Sequence, residues 1–174
     1  MWNLETGEVP RTLKGHSEVV SSVAVTGDGK RAVSASYDGT LKVWNLETGD
    51  SRTLQGHSDV VHGVAITADQ NRAPSASGAK TLRVWDLETG ESRSLEGHSE
   101  CVNGAAVTSN GRHAASVSED NTLKIWDLET SKAIATYHFD VAPVCCEFTG
   151  ERCIIAGDRA GRLYRLLLET RLRQ

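Results

Sequence analysis

The chain has 174 residues, 19 of them basic and 23 acidic, a formal net charge of −4 and 39% hydrophobic residues. That length can bury a core of its own, and a weak charge balance with no basic run argues against a nucleic-acid partner. The longest apolar run near the end, Leu166 to Leu168, is too short for a membrane span, and Met1 to Pro10 lacks the basic-then-apolar order of a signal peptide. Cys101, Cys145, Cys146 and Cys153 show no C-x-x-C spacing, so they read as small core residues of a reducing, cytoplasmic protein.

Residues 1–14 look like a unit entered late. Trp2-Asn3-Leu4-Glu5-Thr6-Gly7 matches Trp44-Asn45-Leu46-Glu47-Thr48-Gly49, which leaves one outer strand, Glu8 to Leu13. From Gly15 onward a fixed period takes over. His16, His57 and His98 stand 41 residues apart, and each is followed 28 residues later by Trp44, Trp85 and Trp126. A period of this length outranks other signals. Within the first full unit, residues 15–55, helix spacing is absent, and short runs of alternating character are broken by turn residues. Val19 to Val25 is apolar and β-branched, Thr26-Gly27-Asp28-Gly29 is a turn, and Arg31 to Ser36 is a strand of small residues. Asp38-Gly39 marks a tight hairpin. Thr40 to Trp44 then alternates, with Leu41 and Val43 on one face, and after a turn Ser51 to Gln55 is a more polar fourth strand.

Residues 56–96 and 97–137 repeat this order, with Leu82/Val84 and Leu123/Ile125 as the alternating pairs. Residues 138–168 form a degenerate unit. His138 or Phe139 stands near the histidine position, Gly157-Asp158-Arg159-Ala160-Gly161 occupies the hairpin, and Leu166 replaces the tryptophan. This unit stops after its third strand, and residues 169–174 are a tail. Four short antiparallel strands in each unit match a propeller blade. The first strand, the most apolar, belongs nearest the axis. The fourth, carrying Arg52, Glu91 and Arg93 in the first two units, belongs outside. The expected fold is all-β, a β-propeller of four-stranded antiparallel blades, about four in this chain.

Three sets of motifs recur in register: Gly15-His16, Ser36-Tyr37-Asp38 and Trp44-Asn45; Gly56-His57, Ser77 and Trp85-Asp86; Gly97-His98, Ser118-Glu119-Asp120 and Trp126-Asp127. They resemble the WD repeat, and the resemblance covers nearly the whole chain. It implies a structural hydrogen-bond network in each unit, built from His16, Ser36, Asp38 and Trp44, then His57, Ser77 and Trp85, then His98, Ser118, Asp120 and Trp126. In it the aspartate orients the histidine, and the serine and indole N–H complete a buried set. A Ser-His-Asp catalytic reading meets the objection that this set recurs, whereas a catalytic set occurs once, so no catalytic residue is assigned. The second unit has Ala79 where the first has Asp38, and this blade is expected to be the softest of the three.

Positions that differ between near-identical units are free to serve binding. They are Val19, Ser21 and Tyr37; Val60, His62 and Gly78; Cys101, Asn103 and Glu119; and, from the fourth unit, Pro143, Cys145 and Arg159. In WD propellers the matching positions line the top face, although drifting loop residues vary in the same way. Their mixed polarity suits a protein or peptide ligand. No cofactor is implied, and no His or Cys spacing fits a metal site. The staggered ends imply strand exchange at ring closure. A four-blade arc would expose apolar sheet faces, so the rest of the ring comes from N-terminal blades of a longer chain or from a second copy in a homodimer. The expected function is a protein-interaction scaffold. The near-identical units resemble amplified arrays in bacterial signalling proteins, where such arrays follow ATPase or kinase domains. Two alternatives stand beside it: a truncated fragment, or a propeller hydrolase, which would need a unique polar cluster in its channel.

Overall fold

The computed structural model describes residues 12–169, so most of the outer strand expected at Glu8 to Leu13 lies outside the described residues. Among the described residues every regular element is a strand. The first sheet contains β1 (Val20–Val25), β2 (Arg31–Ser36), β3 (Leu41–Asn45) and β4 (Ser51–Leu54), paired in that order. The second contains β5 (Val61–Val64), β6 (Arg72–Ser77), β7 (Leu82–Asp86) and β8 (Ser92–Leu95). The third contains β9 (Val102–Val107), β10 (His113–Ser118), β11 (Thr122–Asp127) and β12 (Lys132–His138). The fourth has three strands, β13 (Pro143–Phe148), β14 (Cys153–Asp158) and β15 (Leu163–Leu167). All pairings are antiparallel between chain neighbours, as the hairpin signals require.

The core lies between sheets. Val33, Ala35, Leu41 and Leu54 of the first sheet pack against Val61, Val64, Trp85 and Leu87 of the second. The second and third sheets repeat this seam with Leu82, Val84 and Leu95 against Val102, Trp126 and Leu128. β1, β5, β9 and β13 follow one another along the inner side, which matches their place as the most apolar strands. The seam shows what each sheet face expects to meet. Val61 and Val102 are fully buried, whereas Val20, Val23 and Val25 of β1 are 54, 62 and 55% exposed. The ring is therefore open at the first sheet.

The opposite end differs in chemistry. Ala24, Ala65 and Ala106 share one register position, and Val43, Val84 and Ile125 share another. In the fourth sheet these positions hold Glu147 and Arg165, which flank Ile155 on the outward face. Both are exposed, beside Leu163 and Leu167 at 76 and 61%.

One strand is shorter than its sisters. β5 ends at Val64, although β1 and β9 each run six residues. Ala65 N–H donates to Pro74 O (3.0 Å), but proline has no N–H to return the bond. Val33 and Ala115 stand at that position in the first and third sheets, where the ladder continues.

Candidate functional site

The histidine networks form, with a different serine. In the first sheet His16 Nδ1 donates to Asp38 Oδ2 (2.7 Å), and Ser34 Oγ donates to His16 Nε2 (2.7 Å) while accepting the Trp44 indole N–H (2.8 Å). The third sheet repeats this with His98, Asp120, Ser116 and Trp126 at 2.8, 2.7 and 2.8 Å. The expected Ser36, Ser77 and Ser118 lie two residues further on, on the same strand face, at the hairpin. There Ser36 Oγ accepts the Asp38 N–H (3.1 Å) and lies 3.4 Å from Glu18 O, so it shapes the turn and does not touch the ring. Ser77 and Ser118 do the same.

Thr40 and Thr122 complete the set. Each donates its hydroxyl and its N–H to the aspartate, at 2.6 and 2.9 Å for Asp38 and 2.6 and 3.0 Å for Asp120. Ser17 and Ser99 N–H groups add a fourth donor. Burial opposes ionisation of Asp120, but the Thr122 hydroxyl, the His98 ring and the backbone donors outweigh it and hold the carboxyl down at about 2. Asp38 lies well below the usual range for the same reasons. Gly15 lets the ring approach, since a Cβ there would sit 3.1 Å from the Trp44 indole.

The second sheet keeps the ring and loses the acid. His57 Nε2 meets Ser75 Oγ (2.7 Å), and Trp85 donates to the same oxygen (2.8 Å). Its Nδ1 is buried with no hydrogen-bond partner. Burial, helped by the Arg83 guanidinium, pushes His57 down to about 4. In the fourth sheet the set is replaced together. Phe139, Ala156 and Leu166 pack in an apolar cluster, and Phe139 meets Tyr164 edge-on at 4.9 Å. Tyr164 donates to Asp158 (3.0 Å), at the hairpin.

The variable positions fall at one end of the sheets. Tyr37, Gly78, Glu119 and Arg159 each donate their N–H to the chain before the first strand, at Val19, Val60, Cys101 and Ala142 (2.9, 3.0, 2.9 and 3.2 Å). One end of every sheet thus carries one such pair. The fourth sheet corrects the assignment there: its equivalents are Ala142 and Val144, one residue before the expected Pro143 and Cys145. Pro143 is buried, and its carbonyl accepts from Asn103 (3.0 Å). Cys145 faces away from Cys146, as neighbours on a strand must. Cys145 is exposed, while Cys146 packs into the third core cluster, where burial pushes its thiol up.

One first-strand position serves as a bridge between sheets in two of the units. Ser21 donates to Val61 O (2.5 Å), as Asn103 does to Pro143 O. The residues that remain available divide by chemistry. Tyr37 meets His62 edge-on at 5.6 Å across the first seam, and Arg159 pairs with Glu119 across the third. Among the described residues, no group of three or more His, Cys, Asp or Glu is placed to hold a metal ion.

Comparison with known proteins agrees with this geometry. The family model described as "WD domain, G-beta repeat" matches residues 7–45, 50–86 and 90–127. The small ribosomal subunit protein RACK1 of Candida albicans is 45% identical over 56 residues, covering 29% of this chain and 18% of that protein. MST50-interacting protein 11 of Pyricularia oryzae is 46% identical over 54 residues, covering 28% and 17%. The structure of U3-55K superposes with a TM-score of 0.87 at 23% identity, covering 91% of this chain and 51% of that one. The WD40 repeats of RRP9 give 0.85 at 22%, covering 91% and 53%. The chain therefore spans about half the length of those two structures, and the matched segments are under a fifth of the curated relatives.

Proposed function

This chain belongs to the WD40 repeat family, and from that premise we propose that it is a protein-interaction module that binds a protein or peptide on its hairpin face. One observation carries the reading. Residues that repeat are spent on the seams and networks, whereas Tyr37, Gly78, Glu119 and Arg159 vary and are held at one end of the sheets by the same backbone bond. The face offers an aromatic–imidazole pair at one side and an ion pair at the other, which suits a mixed polypeptide surface. Catalysis is no part of this reading, because each Ser34-type hydroxyl is already committed to a ring and an indole. A reducing, cytoplasmic setting fits the free cysteines.

The rest of the ring is supplied by further units, a reading favoured by solved relatives of which this chain spans half. A place in a signalling assembly is a narrower proposal. The name MST50-interacting protein 11 is consistent with it, but the two curated relatives named are fungal, so a bacterial setting has no support of its own. A photocrosslinking amino acid at Tyr37 tests the binding face, with one at Glu91, in a turn at the opposite end of the sheets, as control. The expected result is a discrete adduct from position 37 alone that Glu119→Lys weakens. Equal labelling from both positions would overturn the assignment.

A further inference from the structure

The second sheet holds the donors of a carboxylate site and supplies no carboxylate. In its sisters four donors converge on one aspartate: a ring Nδ1, a serine N–H, and the N–H and hydroxyl of a threonine. The corresponding donors here belong to His57, Ser58 and Thr81. They are fixed by the same framework. Ser77 N–H reaches Thr81 O at 3.2 Å, as Ser36 reaches Thr40, and Ala79 N–H reaches Ser77 Oγ at 3.1 Å, as Asp38 reaches Ser36. Ser75 and Trp85 hold the imidazole as in the other sheets. The Ser75 hydroxyl has two acceptors, His57 Nε2 at 2.7 Å and Arg83 O at 3.5 Å; in the tautomer where it donates to the nearer Nε2, the ring proton sits on Nδ1, aimed at the place its sisters fill.

The surroundings favour a small anion. Arg83 lies over Trp85 at 5.9 Å, beside Gly56, where the other sheets place Lys42 and Lys124. Ala79 is only partly buried, which leaves a way in from the hairpin face. Asp59 is the opposing charge. Its carboxylate accepts the Val60 N–H (2.8 Å) and leans on Gly78, where a Cβ would be 2.9 Å from Oδ2. Lys80 beyond it is paired with Glu100 (3.3 Å). Bulk and a second negative charge are thus disfavoured.

We infer that the second sheet binds a monocarboxylate at the position of Asp38 and Asp120, contacted by His57 Nδ1, Ser58 N–H and Thr81. The ligand is either a free small carboxylate or the acidic side chain of a docked segment. Only the second source rests on the interaction-module reading.

The test is a titration of the whole chain with sodium formate at constant ionic strength, following the ring nitrogens of His57 by NMR. A parallel titration uses blocked glutamate, acetyl-Glu-methylamide. A saturable shift at His57 Nδ1, absent at His16 and His98, is expected with formate. Saturation with blocked glutamate as well assigns the site to an acidic side chain, and formate alone assigns it to a free ligand. Ala79→Asp, which fills the site from within, abolishes the response while leaving the His16 and His98 signals in place. Asp59→Asn removes the neighbouring charge and tightens binding about fivefold. A non-saturating shift in both the wild type and Asp59→Asn, or one that persists in Ala79→Asp, would overturn the inference and leave the proposed function standing.

Discussion

Replacing Ala79 by aspartate should stabilise the protein, and the structure fixes how much and at which pH. The new carboxylate would find the four donors that Asp38 and Asp120 already use. Hydrogen bonds to a charged group contribute roughly 1.5–3 kcal/mol, and repulsion from nearby Asp59 removes about 1 kcal/mol at an exposed site. A net gain of about 1 kcal/mol at neutral pH corresponds to roughly 2–4 °C in Tm for a chain of this size. Two ionisations shape the pH dependence. In the wild type His57 titrates near 4, below its ordinary 6.5, so the unfolded chain takes up the proton first. Stability is then lost as pH falls from 6.5 toward 4, by up to about 3 kcal/mol. With the introduced carboxylate beside it the imidazolium gains a partner, its pKa rises, and this loss shrinks. That carboxylate, if it follows Asp120, contributes above 3.8 and loses its contribution as pH falls through about 2. The difference between variant and wild type should therefore be widest near pH 4 and close below it. Urea denaturation at a series of pH values measures this directly. A gain that is flat with pH, or a loss at pH 7, would refute the network's role in this sheet.

Two further substitutions separate readings that the fold makes distinct. Ser116→Ala strands both the His98 ring and the Trp126 indole in the core and should cost about 3 kcal/mol in urea denaturation, whereas Ser118→Ala loosens a hairpin and should cost about 1 kcal/mol. The reverse order would return the network to Ser118. Pro74→Ala restores the missing N–H toward Ala65 O, so β5 should lengthen to match β1 and β9, with a gain of up to about 1 kcal/mol after the entropy proline had saved. Hydrogen exchange checks it, and an unprotected amide at residue 74 would contradict the account of the short strand.

The sequence carries the period, the strand order and the hairpins because each depends on residues within a few positions of one another. β2 and β6 begin and end at matching residues, Arg31–Ser36 and Arg72–Ser77, and the histidine, aspartate and tryptophan of the network stand out by recurring. The serine is harder to read, because Ser34 and Ser36 share a strand face and recur equally. A signal is nevertheless present. Where the fourth unit gives up the ring and indole for Phe139 and Leu166, the Ser34 position becomes Ala156, yet the Ser36 position keeps a hydrogen-bonding group, Asp158. The serine lost with the ring is the ring's partner. In the same unit a turn shortened by one residue blurs the spacing, and register there is set by pairing. That turn follows β13, so Ala142 and Val144 keep the 41-residue spacing from Cys101 and Asn103, and Pro143 and Cys145, one residue further on, fall on the opposite face of the strand. The open first face is a matter of what lies next to a strand and has no local signature.

The two outer faces of the array have a consequence for self-association. A stack of like units whose ends match would add copies head to tail without limit and grow into fibres, the usual hazard of a heterologous contact that fails to close. Here the exposed valines of β1 would have to bury Glu147 and Arg165 of another copy, uncompensated by any partner charge on that strand. Desolvating those charges costs several kcal/mol per ion. A head-to-tail contact between copies through these two faces is therefore disfavoured, and the valine face suits a neighbour of different design.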